Sequence, residues 1–156
     1  MPTIRRIRIG EADLYRQVRL ESLKESPQAF TTTYESALSR KSESWTAQAD
    51  NSAIGRNEAI FLVLDDEPVG LAAVYRRDPE SSVAELMQVW ISPAYRGSSV
   101  APELMNTIFQ WASSHGIAEL RAEITPQNFR ALRFYEKCGF TQTSSDRGNI
   151  AIEKRV

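Results

Sequence analysis

Residues 83–102 read VAELMQVWISPAYRGSSVAP, which predicts a strand, a turn and the start of a helix. Its first part, Val83–Ile91, is rich in apolar and β-favouring residues and predicts a buried strand. Its end opens a helix over Val100–Ser114, with apolar residues on one stripe: Val100, Leu104, Ile108, Trp111 and Ala112. A further strand is predicted at Leu120–Ile124. A strand, a helix and a second strand in this order indicate a crossover that makes the two strands parallel.

The rest of the chain surrounds this unit with further strands and helices. Alternation and apolar runs predict strands at Thr3–Ile9, Ala59–Leu64, Val69–Arg76, Phe140–Thr143 and Ile150–Lys154. Helical spacing predicts helices at Glu11–Glu25, Phe30–Ser39, Glu43–Gln48 and Asn128–Cys138, with Gly139 as a left-handed stop. The loop Asn51–Glu58 is too short to separate domains. We therefore expect one domain over residues 1–156, of α/β (α+β) class, with a mixed central sheet of six or seven strands and helices on both faces.

Composition excludes several classes of protein. The 156 residues carry 19 Lys and Arg against 20 Asp and Glu, so no basic field is available to hold nucleic acid. A single Cys, Cys138, excludes an intramolecular disulfide, and a single His, His115, excludes two-histidine zinc motifs. The longest apolar run, Ala59–Leu64, is too short to cross a membrane, and the first residues lack a signal-peptide core. We expect a soluble cytoplasmic protein without a metal.

The turn Arg96–Ala101, with the sequence RGSSVA, joins the strand to the helix. Small side chains allow a ligand to approach the backbone, and the first amides of a helix have no internal partner. These amides also carry partial positive charge, which suits a phosphate. Neither the Walker nor the GxGxxG pattern is present. The alternative is a connection without a ligand, in which Ser98 or Ser99 caps the helix.

Two segments resemble the motifs of the GNAT N-acetyltransferase superfamily. Arg96–Ala101 is similar to the (Q/R)xxGx(G/A) motif and follows a Val/Ile-x-Pro-x-Tyr lead-in. Asn128–Phe140, with the sequence NFRALRFYEKCGF, is similar to the segment N-x-x-A-x-x-x-Y-x-K-x-G-F. Both occur in the expected order and spacing. Two residues depart from the pattern: Ser99 stands where the second glycine is usual, and Pro102 has no N–H.

The resemblance implies an acetyl-CoA-dependent N-acetyltransferase that transfers the acetyl group directly in a ternary complex. It implies a primary amine acceptor on a small molecule or a polypeptide, and a monomer or homodimer. The near-neutral charge and the short apolar runs predict no nucleic acid or membrane partner. The implied oxyanion donor is the amide of Val89 or of one neighbour. The implied coenzyme-binding residues are Val89, Trp90, Ile91, Arg96, Gly97, Ser98, Ser99, Val100, Ala101, Asn128 and Tyr135.

Two residues are candidates for proton transfer. Helical spacing places Tyr135 on the same face as Asn128, and the resemblance implies that Tyr135 is the general acid. The alternative is a core tyrosine with a bonded hydroxyl. Strict alternation places Glu85 on one strand face with Met87, Val89 and Ile91, where apolar neighbours would raise its pKa and suit a general base. The alternative is an ion pair with Arg76 or Arg77.

The acceptor pocket is less clearly marked. Phe30, Tyr34 and Trp45 fall where the resembling fold builds that pocket, and packing on the sheet explains their spacing equally well. A second class of function is also open, namely a non-catalytic acyl-CoA-binding or regulatory module on the same fold. Ser99 and Pro102 favour the module, whereas Glu85, Asn128 and Tyr135 favour the enzyme.

Overall fold

The computed structural model describes residues 2–143 and 148–156. In these ranges seven strands form one sheet in the order β1-β2-β3-β4-β5-β7-β6. The strands are β1 Thr3–Arg6, β2 Glu58–Asp65, β3 Glu67–Tyr75, β4 Val83–Ile91, β5 Glu119–Ile124, β6 Thr141–Thr143 and β7 Ile150–Arg155. The α-helices are α1 Ala12–Glu25, α2 Tyr34–Leu38, α3 Ser42–Ile54, α4 Val100–Ser114 and α5 Phe129–Lys137.

The β4–α4–β5 unit is parallel, which confirms the prediction, whereas every other strand pair in the sheet is antiparallel. β4 and β5 pair only over Val83–Glu85 and Glu119–Arg121. Beyond these residues the two strands diverge, so the carboxyl half of β4 has no strand on its β5 side. A strand edge without a neighbour presents backbone N–H and C=O groups to any extended ligand.

A bulge interrupts β4 at Gln88. Leu71 lies opposite Trp90, yet Ala73 lies opposite Met87, so β4 contains one extra residue in this interval. Gln88 takes a φ of +59°, which is rare for a residue with a side chain. The bulge changes the alternation of side chains along the strand. Our expectation that Glu85 shares one face with Val89 and Ile91 is therefore wrong.

Each face of the sheet has its own apolar core, which confirms the predicted helices on both faces. The α4 stripe is buried as predicted and packs with α5 against one face. Helices α1 and α3 pack against the other face through Tyr15, Val18 and Trp45. Val89 and Ile91 contact the α4 side, whereas Trp90 belongs to the core under α1 and α3. In the described part of the chain, no helix is long and apolar enough to cross a membrane.

Some boundaries differ from the sequence prediction. The first strand ends at Arg6 rather than Ile9, and the helix predicted at Phe30–Ser39 is confined to α2 after a 3₁₀ turn at Pro27–Ala29. Helix α3 runs to Ile54, well past Gln48, because the first helix-breaking residue is Gly55. The predicted loop at Asn51–Glu58 therefore begins inside α3. Gly139 takes a φ of +98°, which confirms the predicted left-handed stop after α5.

Candidate active site

Two connected cavities lie where β4 and β5 diverge. The larger, of about 640 Å³, extends from the loop after β4 to the first turns of α5. The smaller, of about 330 Å³, lies beside the middle of β4 and β5. Val89, Asn128, Ala131 and Tyr135 line both cavities. Both volumes fall in the range of small-molecule sites, which is roughly 300–1,000 Å³.

The loop that begins helix α4 presents free backbone amides. Among the described residues, the N–H groups of Gly97, Ser98, Ser99 and Ala101 have no hydrogen-bond acceptor. Gly97 lines the larger cavity and takes a φ of +78°, a conformation that favours glycine. Helix α4 has 15 residues, so its amino-terminal dipole adds positive potential at these amides. The arrangement suits a phosphate or another anion.

Of the two serines that the sequence offers as caps of helix α4, Ser98 rather than Ser99 accepts from a helix amide. Ser99 stands at the N-cap position of α4, but its side chain makes no capping hydrogen bond and lies 3.3 Å from a carboxylate oxygen of Glu103. Ser98 Oγ instead accepts from the Val100 amide at 3.3 Å and donates to the Tyr95 carbonyl at 2.6 Å. Only the Val100 amide is therefore satisfied by a side chain, and the other free amides keep their capacity for a ligand.

The side chain of Arg96 fixes this loop to helix α1. Its Nε donates to the Ile91 carbonyl at 2.9 Å, and its Nη2 forms an ion pair with Glu25 at 2.6 Å. Glu25 also accepts from Ser26 Oγ at 2.5 Å and from Trp90 Nε1 at 3.0 Å. These hydrogen bonds lower the pKa of Glu25 to about 2. Sequence reasoning missed Glu25 because no local pattern relates it to Arg96, 71 positions away.

Helix α5 forms the opposite wall. Asn128 caps the helix, and its Oδ1 accepts from the Ala131 amide at 3.3 Å. Helical spacing predicts that Asn128, Ala131, Leu132 and Tyr135 share one face of α5. Asn128, Ala131 and Tyr135 line the cavities, whereas Leu132 lines neither. Tyr135 is only 9% exposed, and no hydrogen bond to its hydroxyl is found among the described residues. Burial raises the pKa of Tyr135, so the phenol keeps its proton at neutral pH. The alternative of a core tyrosine with a bonded hydroxyl does not describe this residue.

Glu85 lines the smaller cavity from β4. Partial burial, with a further contribution from the nearby Glu123 carboxylate, raises the pKa of Glu85, and Arg121 opposes this effect. Glu85 forms no ion pair within the described residues. The alternative partner Arg76 is buried and donates to the backbone carbonyls of Arg56, Ser81 and His115.

The three residues predicted to form an acceptor pocket are separated in the structure. Phe30 lines both cavities, whereas Tyr34 and Trp45 line neither. Trp45 is 2% exposed and packs edge-on against Tyr15 in the core, with ring centroids 5.4 Å apart. The structure therefore removes Tyr34 and Trp45 from the cavity walls.

Sequence reasoning missed Arg19 and Gln88, which also line the smaller cavity. A signal for Arg19 was present, because it lies four residues from Tyr15 and from Leu23 on the buried face of α1. A charged residue on such a face is unusual. No signal marked Gln88, whose Oε1 accepts from the Tyr15 hydroxyl at 2.9 Å.

The model of the acetyltransferase (GNAT) family matches residues 20–140, which include both motif segments and every residue that lines the larger cavity. This chain belongs to the GNAT family. The structures of other GNAT proteins have the same fold. The PaiA N-acetyltransferase from Thermoplasma acidophilum, solved in complex with coenzyme A, superposes with a TM-score of 0.79 over 100% of this chain and 99% of that chain, at 20% identity. The GNAT domain of S. lividans PAT gives a TM-score of 0.83 over 98% of this chain and 89% of that chain, at 18% identity.

Curated relatives of this GNAT chain are also named as acetyltransferases. An N-acetyltransferase of Methanocaldococcus jannaschii is 24% identical over 122 residues, which cover 74% of this chain and 54% of the relative. The aminoglycoside N(6')-acetyltransferase type 1 of Stenotrophomonas maltophilia is 30% identical over 93 residues, which cover 54% of this chain and 61% of the relative. The matched region thus spans about half the length of these relatives.

Proposed function

We propose that this protein is an acetyl-CoA-dependent N-acetyltransferase that transfers the acetyl group directly to an amine in a ternary complex. One observation carries the proposal: a single cleft contains free helix-terminal amides at one end and the unpartnered Tyr135 hydroxyl where its two cavities meet. The family membership and the coenzyme complex of the Thermoplasma relative support the same donor.

The larger cavity fits the coenzyme. The amides of Gly97, Ser98, Ser99 and Ala101 would bind the pyrophosphate, and Arg96 and Val100 belong to the same loop. The unpaired edge of β4 at Val89, Trp90 and Ile91 offers backbone groups to an extended arm. Asn128 and Tyr135 would contact that arm from α5. Pro102 supplies no amide, so four rather than five donors face the ligand.

The smaller cavity fits the acceptor, because it meets the larger one at Val89 and Tyr135. The bound thioester supplies the acetyl group. Glu85 would accept the proton that the amine loses on attack. The Val89 amide beside the bulge would donate to the carbonyl oxygen as negative charge develops there. The Tyr135 hydroxyl would donate to the sulfur as the C–S bond breaks.

The first experiment is a thermal-shift titration with acetyl-CoA, with adenosine as the control ligand. A ligand at about 100 times its Kd adds about 2.7 kcal/mol of stability. For a domain of this size, this corresponds to roughly 5–11 °C in the melting midpoint. Thiol release is then measured with a panel of amines. Stabilisation with turnover supports the enzyme, stabilisation without turnover supports the non-catalytic module, and no stabilisation at millimolar acetyl-CoA contradicts both.

Two glycines allow a matched test of the amide loop. Gly97 and Gly116 have φ values of +78° and +75°, and a Cβ at either position would meet no atom within 4 Å. Gly97→Ala and Gly116→Ala should therefore destabilise the free protein similarly, by about 1 kcal/mol. We expect only Gly97→Ala to weaken the shift produced by acetyl-CoA. Equal shifts in the two variants would exclude this loop as the binding site.

A further inference from the structure

The smaller cavity contains a buried arginine, Arg19, whose guanidinium has no hydrogen-bond or ion-pair partner within residues 2–143 and 148–156. Arg19 is 6% exposed, and none of its guanidinium N–H groups has a hydrogen-bond acceptor among the described residues. Its Nη1 is fully shielded from solvent. An arginine keeps its charge in a protein interior, and a buried charge without a partner is strongly unfavourable. The position is therefore explained best if a ligand supplies the missing acceptor.

No carboxylate forms an ion pair with Arg19 within the described residues. The guanidinium lies over the Phe30 ring, 4.8 Å from its centroid. The Tyr15 hydroxyl donates its hydrogen bond to Gln88 Oε1. Burial lowers the pKa of Arg19, and Arg40, a second cation, adds to this effect, while Tyr15 opposes it. A local positive potential with free donors attracts an anion.

The opposite wall of the same cavity has the opposite charge. Glu85 and Glu123 line it from β4 and β5, and their mutual repulsion favours a cation between them. A ligand that matches both walls carries an ammonium group and a carboxylate. The two acidic side chains disfavour a phosphate dianion, and the volume of about 330 Å³ suits a small molecule.

We propose that the acceptor is a small zwitterion of the amino-acid class, with its carboxylate bound by Arg19 and its amine directed to Glu85. This inference rests on the proposed acetyltransferase function and specifies its acceptor. The planar guanidinium donates two parallel hydrogen bonds to a carboxylate, so Arg19 acts as a specificity-determining residue. Phe30 would pack against the aliphatic part of the acceptor.

The test compares amino acids with their primary amides, which keep the shape and remove the negative charge. With the wild-type protein we expect KM to be at least about tenfold lower for the acid than for the amide. Arg19→Gln should abolish this preference by raising KM for the acid alone, with kcat changed little. Arg19→Lys should retain part of the preference, because it keeps the positive charge. It should not retain all of it, because an ammonium group cannot donate the two parallel hydrogen bonds of a guanidinium. Arg16→Gln, on the same helix and outside both cavities, is the matched control.

Three outcomes would overturn the inference. They are equal use of acid and amide by the wild-type protein, a preference that survives in Arg19→Gln, and an equal loss of activity towards both compounds in a folded Arg19→Gln protein. If no amine is acetylated, the thermal midpoint is measured with the same pairs of compounds. Stabilisation by the acid alone, lost in Arg19→Gln, would support the carboxylate site while the transferase proposal fails. No stabilisation by either compound would overturn the carboxylate site as well.

Discussion

Replacement of Tyr135 by Phe separates a chemical role from a structural one. The substitution removes one oxygen atom and keeps the ring, which packs against Phe134 and Phe140 with centroid distances of 5.4 Å. No hydrogen bond to the hydroxyl is found among the described residues, so the substitution removes no hydrogen bond within that part of the chain. We therefore expect the free energy of unfolding to change by less than about 1 kcal/mol. For this chain length, that is a shift of the melting midpoint within about 4 °C.

The expected effect on catalysis is much larger. A hydrogen-bond donor placed at the atom where negative charge develops contributes roughly 10²–10³-fold to the rate, which corresponds to about 2.7–4 kcal/mol. Burial raises the pKa of Tyr135, so the phenol enters the reaction fully protonated. The same burial disfavours the phenolate, so we expect Tyr135 to act by donating a hydrogen bond to the sulfur while negative charge builds there.

The assay is thiol release at saturating acetyl-CoA with the best amine, together with a thermal-shift titration for coenzyme affinity. Tyr75→Phe is the matched control, because Tyr75 is 46% exposed and lines neither cavity. The expected result for Tyr135→Phe is a kcat at least 100-fold lower with nearly unchanged coenzyme affinity. A kcat within about threefold of the wild-type value would exclude Tyr135 as the donor to the sulfur, since that role requires a far larger loss. A midpoint lowered by many degrees would assign the loss of activity to misfolding instead.

Three further predictions concern carboxylates around the cleft. Burial and Glu123 raise the pKa of Glu85, so wild-type kcat/KM should fall as the pH drops through that raised value. Glu85→Gln should lose most of the turnover, and its kcat/KM should no longer fall in this pH range. A variant profile of rate against pH that superimposes on the wild-type profile would exclude Glu85 as the base. The pKa of Glu25 is lowered to about 2 in the folded protein, whereas a glutamate in the unfolded chain has a pKa of roughly 4.3. The stability that Glu25 contributes is therefore fully present above the pKa of the unfolded state and is lost as the pH falls towards 2. Glu25→Gln should raise KM for acetyl-CoA up to about fivefold at neutral pH, because Arg96 loses its ion pair. Glu21→Gln on the same helix is the control. An unchanged KM would show that the ion pair does not position the loop. Glu103 lies beside Ser99 and adds negative charge near the free amides. Glu103→Gln should therefore tighten acetyl-CoA binding by up to about fivefold at low salt. Equal affinity of the variant and the wild-type protein would show that this carboxylate lies too far from the phosphates to affect binding.

The parts of the fold with one clear hydrophobic period could be predicted from the sequence. The bounds of β4 and α4 agree with the prediction, because Val83–Ile91 is bordered by turn residues and the α4 stripe repeats over four turns. The predicted wall of Asn128, Ala131 and Tyr135 follows from the helical spacing alone. In these segments local propensity and tertiary packing favour the same structure.

The missed features depend on contacts between distant residues. The bulge at Gln88 places a non-glycine residue at positive φ, and its side chain is held by Tyr15, 73 positions away. Alternation along a strand cannot reveal an extra residue, so the face assigned to Glu85 was wrong. Alternation along the strand could not decide the alternative pairing of Glu85 with Arg76 or Arg77 either. The Arg76 guanidinium instead donates hydrogen bonds to backbone carbonyls in three separate loops.

The bulge and the divergence of β5 together explain how one strand can serve two reactants. Without the extra residue in β4, the side chains of Glu85 and Val89 would lie on the same face of the sheet. The extra residue turns Val89 towards the α4 side and leaves Glu85 on the other face, beside Arg19 and Glu123. The gap left by β5 connects the two sides at Tyr135. A donor on one side and an acceptor on the other can therefore meet at the gap, which is the geometry that direct transfer in a ternary complex requires.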